Sequence, residues 1–246
     1  MTSPAVRPPL SYKVRKLLRI LRHPVYRGAF RQGVRASVEH APVRFGYDFA
    51  TIVDVGASRG QFAAFARGRF PRAAILCFEP LSEQREVLSR ALGDGERVRV
   101  LDYALSDSSG ERTFHVARSP TASSLLPITE RQAATFEATD EVRQERVPTE
   151  RLDAVLTSAE IHGPALLKID VQGAELDVLR GADRVVDSFD EIFVECTFVE
   201  LYEGQALADD VVAYLRERDF RLVGLWSMWH DDQGACIQAD FLFRRG

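Results

Sequence analysis

The β-branched run Thr51-Ile52-Val53 ends in Asp54 and passes at once into Val55-Gly56-Ala57-Ser58-Arg59-Gly60-Gln61-Phe62. A short apolar strand that closes on an acid, then small residues, then an amphipathic helix, is the opening of a nucleotide-binding α/β sheet. The small residues let backbone amides come close to a ligand at a helix start, where N–H groups lack intrahelical partners. Dinucleotide sites want G-x-G-x-x-G, whereas here Gly56 and Gly60 flank Ser58. That spacing suits a ligand without a pyrophosphate, such as S-adenosylmethionine.

A chain of 246 residues holds one α/β domain with a large core. Charge divides it. Residues 1–44 carry ten of the 32 Lys and Arg and only Glu39 of the 36 acids, a balance of +9 that leaves -13 for the remainder. The reading is therefore a basic helical arm, residues 1–48, ahead of an acidic catalytic domain, residues 49–246. An acidic domain argues against nucleic acid as the main substrate, because phosphate binding needs positive charge in the cleft. Cys77, Cys196 and Cys236 are odd in number, far apart and set in apolar sequence, which reads as reduced core thiols. With no apolar run of membrane-spanning length and no signal-peptide apolar region, the expected compartment is the cytoplasm.

In the arm, Val14, Leu17, Leu18, Leu21 and Val25 fall at helical spacing among Lys13, Arg15, Lys16, Arg19 and Arg22. His23-Pro24 ends or bends this helix. The plainer expectation is that the leucine stripe packs on the domain; the alternative is peripheral contact with the inner membrane surface or a protein through residues 13–25. A second helix is expected on the way to Tyr47. Strands are expected at 51–55, 74–78, 98–102, 165–170, 191–196, 221–225 and 237–243, and helices at 61–69, 82–92, 174–186 and 207–218. The result is a doubly wound sheet with helices on both faces and its last strand antiparallel. Residues 112–116 and 145–151 look like extra strands, with Ser119–Thr139 a mobile loop or lid between them.

The chemistry gathers at strand ends. Glu79, before Pro80, sits where an acid accepts both hydroxyls of a ribose, although it also suits a helix N-terminus. After the third strand, Asp102 and Ala104 are placed to bond an adenine. The fourth strand carries Lys168 and Asp170 on one face, a costly charge pair inside apolar sequence unless each has a partner. Asp170 would stand beside the reacting centre. Glu175, in the next helix's first turn, is split between capping and a site role. Glu195 ends the fifth strand; with Asp170 it could act as general base or hold a divalent cation such as Mg. His115, His162 and His230 have no metal-ligand spacing, and His230 is a further base candidate.

Together these pieces resemble the FkbM family of S-adenosylmethionine-dependent methyltransferases over roughly residues 50–243. The carriers are Asp54 to Phe62, Phe78-Glu79-Pro80, Ala104-Leu105-Ser106-Asp107, Val194-Glu195 and, most specific, Leu167-Lys168-Ile169-Asp170-Val171-Gln172-Gly173-Ala174-Glu175. Ser58 departs from the family's frequent asparagine. The resemblance implies a seven-stranded Rossmann-like sheet of the class I methyltransferase type and O-methylation of a sugar, glycan or natural-product hydroxyl. The cofactor would lie along Asp54, Gly56, Ser58, Gly60, Phe62, Glu79, Pro80, Asp102, Ala104 and Asp170. Asp170, Glu195 and His230 are the catalytic candidates in that order. A nicotinamide-dependent reductase and a non-catalytic scaffold that uses its basic arm are the rival readings.

Overall fold

The computed structural model describes residues 10–93 and 95–246, and the side chains of all of these except 10–13. The arm forms α1 (Leu10–Arg22) and α2 (Pro24–Arg31), and a 3-10 turn follows at Val38–His40. Then come β1 (Thr51–Val55), α3 (Gln61–Arg69), β2 (Ala74–Phe78), α4 (Ser82–Leu92), β3 (Val98–Leu101), β4 (Ala104–Leu105) and β5 (Gly110–Ala117). The chain continues through α5 (Glu130–Thr135), β6 (Glu141–Glu150), α6 (Leu152–Val155), β7 (Ala165–Ile169) and α7 (Glu175–Gly181). It ends with β8 (Glu191–Thr197), α8 (Ala208–Arg216), β9 (Phe220–His230) and β10 (Cys236–Arg245).

Seven strands make one sheet in the order β3-β2-β1-β7-β8-β10-β9. The first five of these run parallel, and β10 inserts antiparallel between β8 and β9. β1 and β7 are buried at every residue, the pattern of strands covered on both faces. One core cluster fills the face under α7 and α8, around Leu167, Val178, Leu179 and Phe243. The other fills the opposite face around Phe49, Phe62, Phe65 and Phe70, and it includes Ile20, Tyr26, Ala29, Ala36 and Val38 of the N-terminal segment. The order in which strands are added reverses between the parallel neighbours β1 and β7, so their carboxyl ends, Val55 and Ile169, open a crevice at the switch point of the sheet.

Three expectations need correction. Most of the arm's stripe does not pack on the domain: Val14, Leu17, Leu18 and Leu21 are 40–48% exposed, whereas Val25, in α2, packs on the core and Ile20, on the next face of α1, is 2% exposed. Lys16 pairs with Glu39 at 2.8 Å and Arg19 donates to the Val38 carbonyl at 3.2 Å, which fixes α1 on that face. Residues 119–139, expected as an irregular loop or lid, carry short elements folded against the body, and Pro120, Thr121, Ser123 and Leu125 line a cavity at the end of the sheet. Ser124 pairs with His115, Ile128 bridges Tyr202, and Ala122, Ser124 and Gln132 are buried. The extra strands form a separate sheet, β4-β6-β5, beside the carboxyl end of the main one. Finally, β9 runs on through Ser227 to His230, where a loop is expected, with the left-handed φ of 49° at Ser227 marking the irregularity.

Candidate active site

The loop after β1 turns tightly over the end of β2: the amides of Gly56 and Ala57 both donate to the Phe78 carbonyl, at 3.1 and 3.0 Å. Gly56 has φ +73°, and a Cβ placed there would lie 1.9 Å from the Asp170 carbonyl oxygen. Only glycine lets the two loops of the switch point cross this closely. Ser58 follows with φ 47°, and its amide donates to Glu79 Oε2 at 2.9 Å. The Leu81 amide donates to Glu79 Oε1, also at 2.9 Å. Glu79 is thus held across the floor of a cavity lined by Gly56, Ser58, Pro80, Tyr103 and Ala104. Burial pushes its carboxyl up to about 7, against the pull of those two amides.

Beneath the loop, Lys168 Nζ reaches Asp54 Oδ1 at 2.9 Å and the carbonyls of Val55 and Gly56 at 3.2 and 3.1 Å. These acceptors match the three donors of an ammonium group. Asp54 is wholly buried and lies behind the loop; its role is to neutralise Lys168 and so pin the strand end. Burial raises the Asp54 carboxyl, and Lys168 opposes that rise. Lys168→Met should strand Asp54 as an unpaired buried charge and cost about 3–5 kcal/mol. Thermal unfolding should show it as a fall of about 6–20 °C, partly restored by adding Asp54→Leu. Unchanged melting in the single variant would mean that the pair does not hold the loop.

Past β7, the turn 170–175 is shaped by its own side chains. Glu175 accepts the amides of Val171 and Gly173 at 3.0–3.1 Å, a capping role, and burial raises its carboxyl to about 7. Gln172, at φ 59°, donates one side-chain N–H to Asp170 Oδ1 at 2.7 Å and the other to Glu195 Oε2 at 2.9 Å. Its own oxygen accepts from Tyr202 Oη at 2.9 Å, and Gln238 donates to Glu195 Oε1 at 2.9 Å. Glu195 therefore has both oxygens capped by amides, and burial, with Asp170 and Asp240 nearby, holds its carboxyl well above the usual range. Asp170 keeps 41% of its side chain exposed and lines two cavities at once. The first is the one over Glu79. The second is a cleft between the sheet and the N-terminal segment, walled by Phe62, His40, Glu195 and Asp240 and rimmed by Met228 and Trp229.

The second cleft is built around buried polar atoms that make no hydrogen bond to the protein. His40 Nδ1, Asp240 Oδ2, Ser58 Oγ and Gln61 Oε1 are buried and make no hydrogen bond among the described residues. His40 and Asp240 face each other at 3.4 Å. The imidazole is edge-on to Phe62, Phe65 and Phe193, and burial lowers it to about 4. The Asp240 carboxyl is raised to about 7 by burial, against a hydrogen bond from Ser227. Leaving so many buried polar groups unmatched is costly, which marks the cleft as shaped for a polar occupant.

Of the residues singled out from sequence, Gly56, Ser58, Glu79, Pro80, Ala104 and Asp170 surround the first cavity, and Phe62 and Glu195 face the second. Gly60 starts α3 at φ +88° against Leu88, outside both. Asp102 is turned outward into solvent, because β3 ends at Leu101 and the chain swings Tyr103 and Ala104 onto the wall instead. His230 is exposed at the end of β9, and Ser227, Met228 and Trp229 form the wall there. His40, Asp240, Gln172 and Tyr202 were missed. For Gln172 a signal existed, since it lies inside the Lys168–Glu175 motif. Among the described residues no group of three or more His, Cys, Asp or Glu is set to hold a metal, and Gln172 bridges Asp170 and Glu195.

A mostly parallel seven-stranded sheet with one inserted antiparallel strand thus carries a glycine-lined, acid-floored crevice at its switch point, the place where open α/β sheets bind ligands. Residues 54–222 match the methyltransferase FkbM domain model. Methyltransferase sdnD of Sordaria araneosa is 32% identical over 211 residues, covering 76% of this chain and 80% of that protein. The 2-O-methyltransferase NoeI of Sinorhizobium fredii is 28% identical over 170 residues, 63% of this chain and 66% of that one. The hexuronic acid methyltransferase AglP of Haloferax volcanii is 28% identical over 178 residues, covering 68% and 67%. The chain belongs to the FkbM family of S-adenosylmethionine-dependent methyltransferases.

Proposed function

We propose that the protein transfers a methyl group from S-adenosylmethionine to a hydroxyl of a sugar, glycan or hydroxyl-rich natural product. The observation that carries this is the position of Asp170, which belongs both to the cavity floored by Glu79 and to the cleft of unmatched polar atoms. The residues present fit the cofactor. Glu79 retains lone pairs for two ribose hydroxyls after accepting two amides, Tyr103 and Ala104 offer a wall for the base, and Gly56 leaves room for the amino-acid tail. Bound there, the cofactor supplies a methyl on a positively charged sulfur.

The protein's own share is alignment and proton removal. A neutral hydroxyl is a poor nucleophile, so a base beside it matters. Asp170 is the carboxylate at the junction; Glu195, with both oxygens occupied, orients Gln172 and through it Asp170. His40 and Asp240 would grip the acceptor's hydroxyls from the opposite wall. The reading is supported by the names of two relatives, NoeI, a 2-O-methyltransferase, and AglP, a hexuronic acid methyltransferase. The test is calorimetric titration with S-adenosylhomocysteine and with NADH, then labelled methyl transfer to a panel of sugar nucleotides and uronates. Uptake of the homocysteine nucleoside alone, and label in an O-methyl product that Asp170→Asn fails to form, support the reading. Binding of NADH in its place would replace it with the reductase reading.

A further inference from the structure

Helix α1 presents Val14, Leu17, Leu18 and Leu21 to solvent at 48%, 42%, 47% and 40% exposure. At 100° per residue these four fall within an arc of about 100°. Arg22 and Arg15 border that arc on one side, both exposed, and Ile20, on the other, is the anchor to the body. The helix is therefore clamped to the domain through Ile20, Lys16 and Arg19, with its apolar face directed away. On the flank of that face lies a groove lined by Arg15, Lys16, Arg19 and Arg22 together with the Val38–Pro42 turn. Apolar surface and concentrated positive charge meet along one helix. Thirteen residues rise only about 20 Å, short of a bilayer's hydrocarbon core of about 30 Å. Such a helix can lie in an interface but cannot cross it.

We propose that α1 docks the enzyme on an anionic lipid surface, with the leucine stripe in the headgroup–acyl boundary and the arginines against lipid phosphates. Charge complementarity selects this occupant. The segment that bears the stripe holds ten Lys and Arg against one acid, while the remainder of the chain is acidic and repelled by such a surface. Only α1 forward is then a favourable orientation. An antiparallel second copy is a poor cover, because face-to-face stripes would then bring the Arg15 and Arg22 rows of both copies together. The docked helix also sits beside the acceptor cleft: Lys16 and Glu39 line both the basic groove and the cleft, and Met228 and Trp229, 53% and 40% exposed, rim the mouth. The inference rests on the family fold but not on which hydroxyl is methylated.

The experiment is co-sedimentation of the full chain with vesicles of phosphatidylcholine alone and of phosphatidylcholine mixed with phosphatidylglycerol. Binding to the anionic vesicles should exceed binding to the neutral ones by about tenfold or more and should weaken at high salt. The double variant Leu17→Glu/Leu21→Glu should lose it, and Arg15→Glu/Arg22→Glu should weaken it by a similar factor. Both pairs lie outside the cofactor cavity, so S-adenosylhomocysteine binding and melting temperature should remain those of the wild type. That separates a failure of docking from a failure of the methyltransferase reading. Absence of the wild type from anionic vesicle pellets would overturn the proposal. So would a lipid-free dimer that Leu17→Glu/Leu21→Glu dissociates, which would show the stripe to be covered by a second copy.

Discussion

Gly56→Ala is expected to abolish binding of the cofactor and its demethylated product and to lower the melting temperature by about 5–20 °C. The added methyl would sit 1.9 Å from the Asp170 carbonyl oxygen, a backbone atom at the end of a central strand, and no rotamer change can relieve that contact. The φ of +73° adds strain of its own for any residue with a Cβ. Strain of about 1–3 kcal/mol and overpacking of a similar size add to about 2–6 kcal/mol. Relief requires β1 and β7 to part at Val55 and Ile169, the two strand ends that set the crevice. Differential scanning calorimetry and titration with S-adenosylhomocysteine measure both effects. Wild-type affinity in the variant would show that the loop crossing does not form the cofactor's seat.

The second large effect is on pH dependence. Glu79, Glu175 and Asp240 are each raised to about 7 by burial. A carboxyl that holds its proton more tightly folded than unfolded stabilises the fold in full below its unfolded value. That contribution drains away as pH rises through the folded value. The ligand-free protein should therefore melt at progressively lower temperature from about pH 4.5 to just above pH 7, a window in which most surface carboxylates are already ionised. Each tenfold difference in proton affinity is worth about 1.4 kcal/mol, so the three groups together amount to several kcal/mol. Glu79→Gln should flatten the slope and raise stability at pH 8 while weakening cofactor binding by about 10–100-fold, because a charged acceptor of ribose hydroxyls is gone. A melting temperature that climbs across this window would refute the assignment of proton-holding carboxyls to these three buried positions.

Much of this architecture was legible because its strongest elements are local. β1, β2, α3 and α4 begin and end at the expected residues, since apolar strands and helical patterns punctuated by Gly and Pro leave few alternatives. The residues just after the carboxyl ends of β1, β2 and β7, namely Gly56, Glu79 and Asp170, were legible for the same reason: their place in the chain fixes their place in the crevice. What resisted reading depends on distant partners. β4 is two residues long and exists through its pairing with β6, more than forty positions away in the chain. The stripe of α1 identifies an amphipathic helix but not which of its faces meets the body; the Val38–His40 turn decided in favour of Ile20. His40 and Asp240 come from opposite ends of the chain, and neither carries a local motif.

One consequence follows from the way the N-terminal segment alternates. Ala36 and Val38 point inward and are 0% and 3% exposed, while Ser37 and Glu39, their immediate neighbours, line the cleft that we propose takes the acceptor. Selectivity for a new substrate and the integrity of the hydrophobic interior are thus written in adjacent letters of a single strip of chain. Drift in one register can retune what the enzyme modifies; a slip into the other unravels the enzyme itself. Grafting this strip between relatives should succeed only when its inward residues travel with it.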